Sequence, residues 1–365
     1  MSITLQKISY RQLREQSYKV VDDRYGIAAF MTEQVRQCML ACPNNSDDYL
    51  TAMHLAIADG IAVGRNFFLT TKFRAGDEVF PAQTGGSVEV HKDYRRRGIA
   101  SMILGCNNEE HDIYIGALYS QGALAIYKKK GDVIIESPLF LKPRNIEFYL
   151  RAKGLKGMTL AILQPLVNGA LKVASLPALY RKRKLRRLFT VERVQRVPEW
   201  AGELACNDGH KYMELHETAW LQWCLDYNMS DNAQDAQAFY VVTERNGATR
   251  GFFMTKVRND EELGPYRHLN SGTVVEWGTT DEAVLSETDI CMLAEDTFES
   301  KVSTILVVAQ SEMAKKELKQ FGYLRRGDYT MSFSDVKNRF ADASDRSKWR
   351  IRFGCCNTII LKTSR

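Results

Sequence analysis

The sequence predicts an α+β protein made of two tandem halves, and three observations carry the prediction. The chain has 365 residues, 45 % of them apolar and 26 % charged, which suits a globular protein of two or three domains at about 150 residues each. Short runs of alternating apolar residues interleave with runs of helical period along the whole length. The second half then repeats the strand–helix–strand–helix–strand order of the first, with little residue identity but the same pattern. The composition excludes a fibrous or low-complexity chain, and a net charge of +6 is too mild to imply nucleic acid without a concentrated patch.

The elements follow in order. Residues 3–8 alternate like a strand, and a helix is expected over Arg11–Tyr18. Met31–Cys42 reads as a helix that stops near Pro43, and Ser46–Ala58 as another. Strands are expected at Ile61–Phe73, Glu78–Pro81 and Thr84–His91, then a helix at Gly98–Asn107, a strand at Ile113–Leu118, a helix at Ala123–Lys130 and a strand at Val133–Leu141. Residues 1–150 are thus the first domain. Leu155–Tyr180 is apolar but broken by Pro165, Gly169 and Pro177, and the basic run Arg181–Arg187 follows it, so residues 151–190 are expected as a linker. Residues 191–365 form the second domain. It has a Trp-rich helical segment at Met213–Tyr227 and a hairpin of Phe239–Arg245 with Arg250–Val257 about Asn246–Gly247. A strand at Thr273–Trp277, a helix at Glu287–Ser300, a strand at Thr304–Ala309, a helix at Met313–Gln320 and a strand at Tyr329–Ser334 complete it.

Several function classes fall away. The N-terminal MSITLQKISYRQLREQ has no apolar core of a secretory signal, and no run of about 18 apolar residues predicts a spanning helix. The eight cysteines (Cys38, Cys42, Cys106, Cys206, Cys224, Cys291, Cys355 and Cys356) form no CxxC pair, and the six histidines are scattered, so no metal site is expected. Cys38 and Cys42 share a helical face and read as small buried hydrophobes of a reducing cytosol rather than a redox pair. The expected location is cytoplasmic.

Two segments carry chemistry. In Gly85–Ala100, GGSVEVHKDYRRRGIA, a strand with Val88 and Val90 ends in a charged turn that opens a helix at Gly98. Such a helix start presents unpaired backbone N–H groups and a dipole that favours negative charge, which suits a phosphate. Gly98 and Ala100 permit close approach, and Arg95, Arg96 and Arg97 add positive charge for a pyrophosphate. A solvated basic turn is the bland alternative. The second segment is Ser120–Asp132, SQGALAIYKKKGD, which places Tyr127 near the end of a short helix with Gly131 as its C-cap. A tyrosine with an ordinary pKa near ~10 stays protonated at neutral pH and can protonate a departing thiolate; otherwise it is a half-buried core residue.

Together these residues resemble the GNAT superfamily of acyl-CoA-dependent N-acetyltransferases. Its pyrophosphate loop, Arg/Gln-x-x-Gly-x-Gly/Ala, is matched by Arg95, Gly98 and Ala100, with Val90 and Tyr94 ahead of it. Its later signature, Asn-x-x-Ala-x-x-x-Tyr-x-x-x-Gly-Phe, is matched at Ala123, Tyr127 and Gly131, with Ser120 for Asn and Asp132 for Phe. The resemblance covers about residues 3–145. It implies a twisted mixed central sheet flanked by helices in each half, and acetyl-CoA as co-substrate in a gap between two parting strands. Val88 and Val90 would lie along the donor, with the Val90 N–H on the thioester carbonyl. Residues Arg95, Arg96, Arg97, Gly98, Ile99 and Ala100 would cradle the pyrophosphate, and Tyr127 would act as general acid. The amine must be neutral to attack, so a base is needed. Glu89 is the candidate and Asp59 a second, while an exposed strand glutamate is the ordinary reading.

The second half resembles the same fold without its chemistry. GTTDEAVLSETD follows its strand in place of the loop, and Leu318 stands where the tyrosine would be. Tandem chains of this kind, with a Trp-rich segment at His216–Trp223, imply an amino-sugar acceptor of bacterial surface polysaccharide synthesis. An aminoacyl or peptide-type transferase using aminoacyl-tRNA, and a non-catalytic binding protein on this fold, stay as alternatives. Trp220 and Trp223 read as core residues or as a sugar platform. Arg181–Arg187 reads as a solvated helix end, or, with the apolar stretch before it, as peripheral membrane contact through 155–187. No nucleic-acid module surrounds it. The remaining partner is a small-molecule amine.

Overall fold

The computed structural model describes residues 2–19, 22–28, 32–45, 47–117, 120–229, 236–263 and 266–357. The first half runs β1 (Ile3–Ser9), α1 (Tyr10–Glu15), α2 (Glu33–Leu40), β2 (Thr51–Ala58), β3 (Ile61–Ala75), β4 (Glu78–Val90), α3 (Ile99–Gly105), β5 (Ile113–Ala117), α4 (Gln121–Lys130) and β6 (Val133–Pro143). Three helices follow: α5 (Glu147–Ala152), α6 (Gly157–Ala174) and α7 (Leu176–Leu188). The second half runs β7 (Phe189–Val194), α8 (Glu199–Cys206), β8 (Tyr212–Glu214), α9 (Thr218–Asp226), β9 (Ala236–Glu244), β10 (Arg250–Leu263) and β11 (Tyr266–Thr279). It ends with α10 (Glu287–Thr297), β12 (Thr304–Val308), α11 (Glu312–Gln320) and β13 (Leu324–Asp335). The α+β prediction holds.

Helix starts follow local chemistry. Ser9, Thr32, Ser120, Ser286 and Ser311 each accept a backbone N–H from the first turn of the helix that follows, which satisfies a donor the helix leaves open. Gly131 closes α4 with φ 91°, a left-handed conformation that suits glycine.

One expectation fails. Ser46–Ala58 is not a helix: Thr51–Ala58 is strand β2, and Ser46 lies outside the described residues. All eight residues of β2 are buried, and the strand is paired on both edges, with β1 and with β3. Burial on both faces removes the alternation that marks a half-buried strand. The segment expected as a linker forms α6 and α7. Ala178, Lys182 and Leu185 of α7 are buried, and Arg181, Lys182 and Arg186 pair with Asp289, Glu295 and Asp296 of α10. Met31 and Leu118, the ends of two other expected elements, also lie outside the described residues.

The strand order joins the halves. Among the described residues thirteen strands make one sheet in the order β1-β2-β3-β4-β5-β13-β6-β12-β11-β10-β9-β7, with β8 paired to β3. Strand β13 of the second half lies between β5 and β6 of the first, antiparallel to both. In exchange, β6 pairs antiparallel with β12. Each half thus completes its sheet with the other half's last strand. The core continues across the join: Phe73 of β3 packs against Phe333 of β13 and Trp349, with ring centroids 5.1 and 5.6 Å apart. Such aromatic pairs add about 0.5–1.5 kcal/mol each beyond their buried area.

Candidate active site

The site lies where β4 and β5 part. They run parallel only over Ala82–Thr84 and Ile113–Ile115. Beyond Thr84, β4 stays with β3 and leaves β5. Between Gly86 and Glu89 it carries one residue more than β3 does between Phe67 and Arg65, a bulge that bends the strand and re-aims its side chains. After β4 come a 3-10 turn at Lys92–Tyr94, the loop Arg95–Gly98 and then α3.

The loop is shaped for an anion. Arg96 and Gly98 have φ of 65° and 80°, and such left-handed turns curl successive N–H groups into a concavity. Gly98 is the N-cap of α3 and makes no side-chain capping hydrogen bond, so no side chain of the cap covers the first-turn donors. Arg95, Arg96 and Arg97 are exposed. The Arg95 Nε donates to the Val90 carbonyl at 3.1 Å, and the Arg97 guanidinium lies 5.2 Å from the Tyr94 ring centre. Ile99 is buried and Ala100 half-buried.

Tyr127 sits behind the gap in a buried polar cluster. The Asn107 Nδ2 donates to its hydroxyl at 3.0 Å, and the Tyr114 hydroxyl lies 2.9 Å from it. Asn66 reaches Asn107 at 3.4 Å. Burial holds the Tyr114 phenol well above its ordinary pKa. Val88 packs on this cluster, while Val90 packs with Ile99 and Ile103 of α3. A Cβ on Gly85 would stand 2.8 Å from the Tyr114 hydroxyl and 3.1 Å from the Asn66 Nδ2, so glycine lets β4 pass against these groups. Asn66 Oδ1 and Thr84 Oγ1 are buried with no hydrogen-bond partner; Thr84 marks the point of divergence and Asn66 faces the bulge.

The structure therefore gathers Val88, Val90, Arg95–Ala100 and Tyr127 on one side of the β4–β5 parting. Glu89 points the other way, half-exposed, and its carboxylate pairs with the buried Arg65 guanidinium at 2.7 Å. Asp59 occupies the tight β2–β3 turn with φ 49°. Asn66, Asn107 and Tyr114 are the residues that sequence reasoning missed. Their only signal is that Asn66 and Tyr114 interrupt apolar strand runs.

The second half repeats the parting without the site. Strands β11 and β12 pair only over Ser271–Thr273 and Thr304–Leu306. The C-terminal segment bridges the gap beyond: the Gly354 N–H donates to the Val275 carbonyl at 2.7 Å, and the Ile351 N–H to Gln310 at 3.0 Å. Arg350 clasps Glu276 at 2.6 and 3.3 Å. The start of α10 is capped by its own Ser286 and Asp289. A cavity of about 690 Å³ at this end is lined by Asp208, Lys211, Trp277, Lys348 and Arg350 among others. Lys211 and Lys348 pair with Asp342, and Arg350 with Asp208 and Glu276, so little uncompensated charge is left there for an anionic donor. The uncapped α3 is the better site.

Beside the second-half cavity lies a buried ionic core, joined to it through Arg350 and Glu276. Glu214, His216 and Cys355 bring one possible ligand atom each within 4.8 Å of one another. Those atoms already serve the protein. Glu214 accepts from Thr71 and from the Cys356 N–H, Cys355 accepts from the Arg352 N–H, and His216 bridges Glu276 and Glu214. His216 also stacks on Trp220 at 3.8 Å, and the Trp223 indole donates to the Cys38 carbonyl at 2.9 Å. Both tryptophans are core residues.

No protein-family model and no curated protein sequence matches the chain. Solved structures do match by shape. N-myristoyltransferase of Saccharomyces cerevisiae with bound myristoyl-CoA aligns over 92 % of this chain and 83 % of its own, at 11 % identity and a TM-score of 0.56. A probable N-acyltransferase of Enterococcus faecalis V583, described as a conserved protein of unknown function, aligns over 93 % and 74 %, at 11 % identity and 0.52. A GCN5-related N-acetyltransferase of Anabaena variabilis aligns over 92 % and 73 %, at 10 % identity and 0.51. At such identities the likeness is one of fold alone, and it extends over both halves of the chain.

Proposed function

We propose that the chain is an acyltransferase that moves an acyl group from a coenzyme A thioester to an amine. The observation that carries this reading is the parted β4 and β5, with an uncapped, arginine-flanked helix start at one end and Tyr127 behind. A pyrophosphate at Arg95–Ala100 meets open N–H groups and positive charge. The thioester then lies along Val88–Val90. The neutral amine attacks the carbonyl carbon, the carbon–sulfur bond breaks, and the departing thiolate takes a proton. When Asn107 and Tyr114 both donate to the Tyr127 oxygen, that hydroxyl keeps its own proton for the transfer. Glu89 lies on the opposite face of β4, so a proton from the amine reaches it by way of water.

For the acyl group we take acetyl, and for the acceptor an amino sugar of bacterial surface polysaccharide synthesis, both on the resemblance of a tandem chain of this kind. The fold relative with bound myristoyl-CoA makes chain length the first variable to test. Calorimetric titration with a series from acetyl-CoA to myristoyl-CoA should give one saturable site for at least one donor. Mass spectrometry of amino-sugar mixtures incubated with that donor should then show the added acyl mass. Failure of every donor to bind refutes the proposal; binding of a long chain alone refutes the acetyl assignment.

A further inference from the structure

We propose that α6 and the outer face of α7 form a docking surface for an anionic lipid bilayer. Eight of the fourteen large hydrophobic side chains exposed among the described residues fall within residues 158–188. Met158, Ile162, Leu166 and Val173 of α6 are each between 58 and 80 % exposed. At 3.6 residues per turn they lie within an arc of about 80°. Leu176, Leu179 and Tyr180, at the start of α7 just past the bend, are exposed as well. Soluble surfaces scatter such residues singly; a contiguous apolar face marks an interaction site.

Charge selects the occupant. Between Glu147 and Glu192 the chain has ten basic residues and no acidic one. The inner basic residues of α7, Arg181, Lys182 and Arg186, are spent on α10. Among the described residues, the exposed Lys156, Lys172, Arg183, Lys184 and Arg187 form no ion pair. An apolar face bordered by unneutralised Lys and Arg fits acyl chains beside anionic headgroups. A second copy would bring two such basic borders together, so self-association is disfavoured. Neither helix is long and apolar enough to span a membrane alone, and the two meet at a 53° bend, so both would lie along the interface. Helix α6 packs against α5 and α7, and α7 against α10 and β7, none of which is β4 or α3, and the inference stands independently of the acyl-transfer reading.

The test is vesicle flotation of the full chain at physiological salt. Vesicles of phosphatidylcholine alone are compared with vesicles that are about one-third phosphatidylserine. Wild type should float with the anionic vesicles and not the neutral ones. Arg183→Ser with Lys184→Ser and Arg187→Ser should weaken that partition by about a hundredfold. Ile162→Glu with Leu166→Glu should abolish it. All five positions are exposed, so melting temperatures should stay at the wild-type value. A folded wild type that ignores anionic vesicles overturns the proposal, as does either variant that floats like wild type. A dimer in sedimentation that Ile162→Glu with Leu166→Glu splits, without vesicle binding, gives the face to a second copy instead.

Discussion

Substituting Gly98 separates charge from shape at the donor loop. No atom lies within 4 Å of where a Gly98 Cβ would stand, so bulk alone does not clash with the protein. The residue holds φ 80°, where a side chain costs about 1–2 kcal/mol, less for Asn and Asp. Gly98→Asn and Gly98→Asp have almost the same shape, and either can turn its side chain onto the α3 N–H groups that a phosphate would use. They differ by one negative charge. At about 5 Å from a pyrophosphate charge, with an effective dielectric constant between about 20 and 80, that charge repels by about 0.8–3.3 kcal/mol. The Asp variant should therefore bind the acyl-CoA between about 4-fold and about 300-fold more weakly than the Asn variant. Isothermal titration at low and high salt reads the ratio, which should shrink as salt rises. Equal affinities for the two variants, with circular dichroism unchanged, would show that no anion sits at the start of α3.

Tyr127→Phe should leave donor affinity intact and lower kcat by about 10²–10⁴. It should also cost about 1–3 kcal/mol in urea unfolding, because the Asn107 amide and the Tyr114 hydroxyl lose a buried partner; full turnover with chemistry limiting refutes the acid role. Stability should fall at both ends of the pH range. Burial alone would lower the His216 pKa, but Glu276 and Glu214 outweigh it and hold the value raised. That contribution is complete below about 6.5 and is lost as pH rises through the folded value. Burial would raise Glu276, but Arg350 and His216 hold it at about 2; its contribution is complete above about 4.3 and is lost as pH falls toward 2. Glu276→Gln should remove the Glu276 share of the acid limb and cost up to about 3–5 kcal/mol, because it takes the bidentate carboxylate from buried Arg350 and leaves it the Asp208 carboxylate alone; urea midpoints across pH check both. A fragment ending at residue 150 keeps β4, α3 and Tyr127 but lacks β13, and should be unfolded by circular dichroism; a folded, donor-binding fragment refutes the interdependence of the halves.

Much of the proposed donor side was legible because its signals are local. A glycine at a helix start, arginines before it and a glycine cap after Tyr127 each act within a few residues. Strand β2 was not legible, because burial on both faces erases the alternation that reveals a strand. Neither was the Asn66–Asn107–Tyr114 setting of Tyr127, whose members are far apart in sequence and meet only when β3, β5 and α4 pack. The exchange of β6 and β13 leaves no mark on either strand, since an antiparallel partner from the other half makes the same demands as one from its own. The basic run Arg181–Arg187 showed its charge but not its division into an inner face bound to α10 and an outer face left to solvent.

The strand exchange accounts for a second half that keeps the fold while lacking the loop and the tyrosine. Strand β5 forms one wall of the β4–β5 gap and carries Tyr114. Its partner on the side away from β4 is β13, with Ser334 opposite Tyr114 and Phe333 opposite Ile115. The divergence of β5 from β4, and with it the hydroxyl that orients Tyr127, is thus held by a strand from the far end of the chain. Strand β6, which follows α4 and so anchors Tyr127 from the other direction, lies between β13 and β12. Loss of the loop and tyrosine in the second half leaves this support in place, whereas loss of its sheet would leave β5 and β6 without their shared neighbour. The C-terminal segment extends the same logic: by crossing the β11–β12 gap through Gly354, bonded to Val275, and Ile351, bonded to Gln310, it fills the second parting and ties together two strands of the sheet to which the β4–β5 parting belongs.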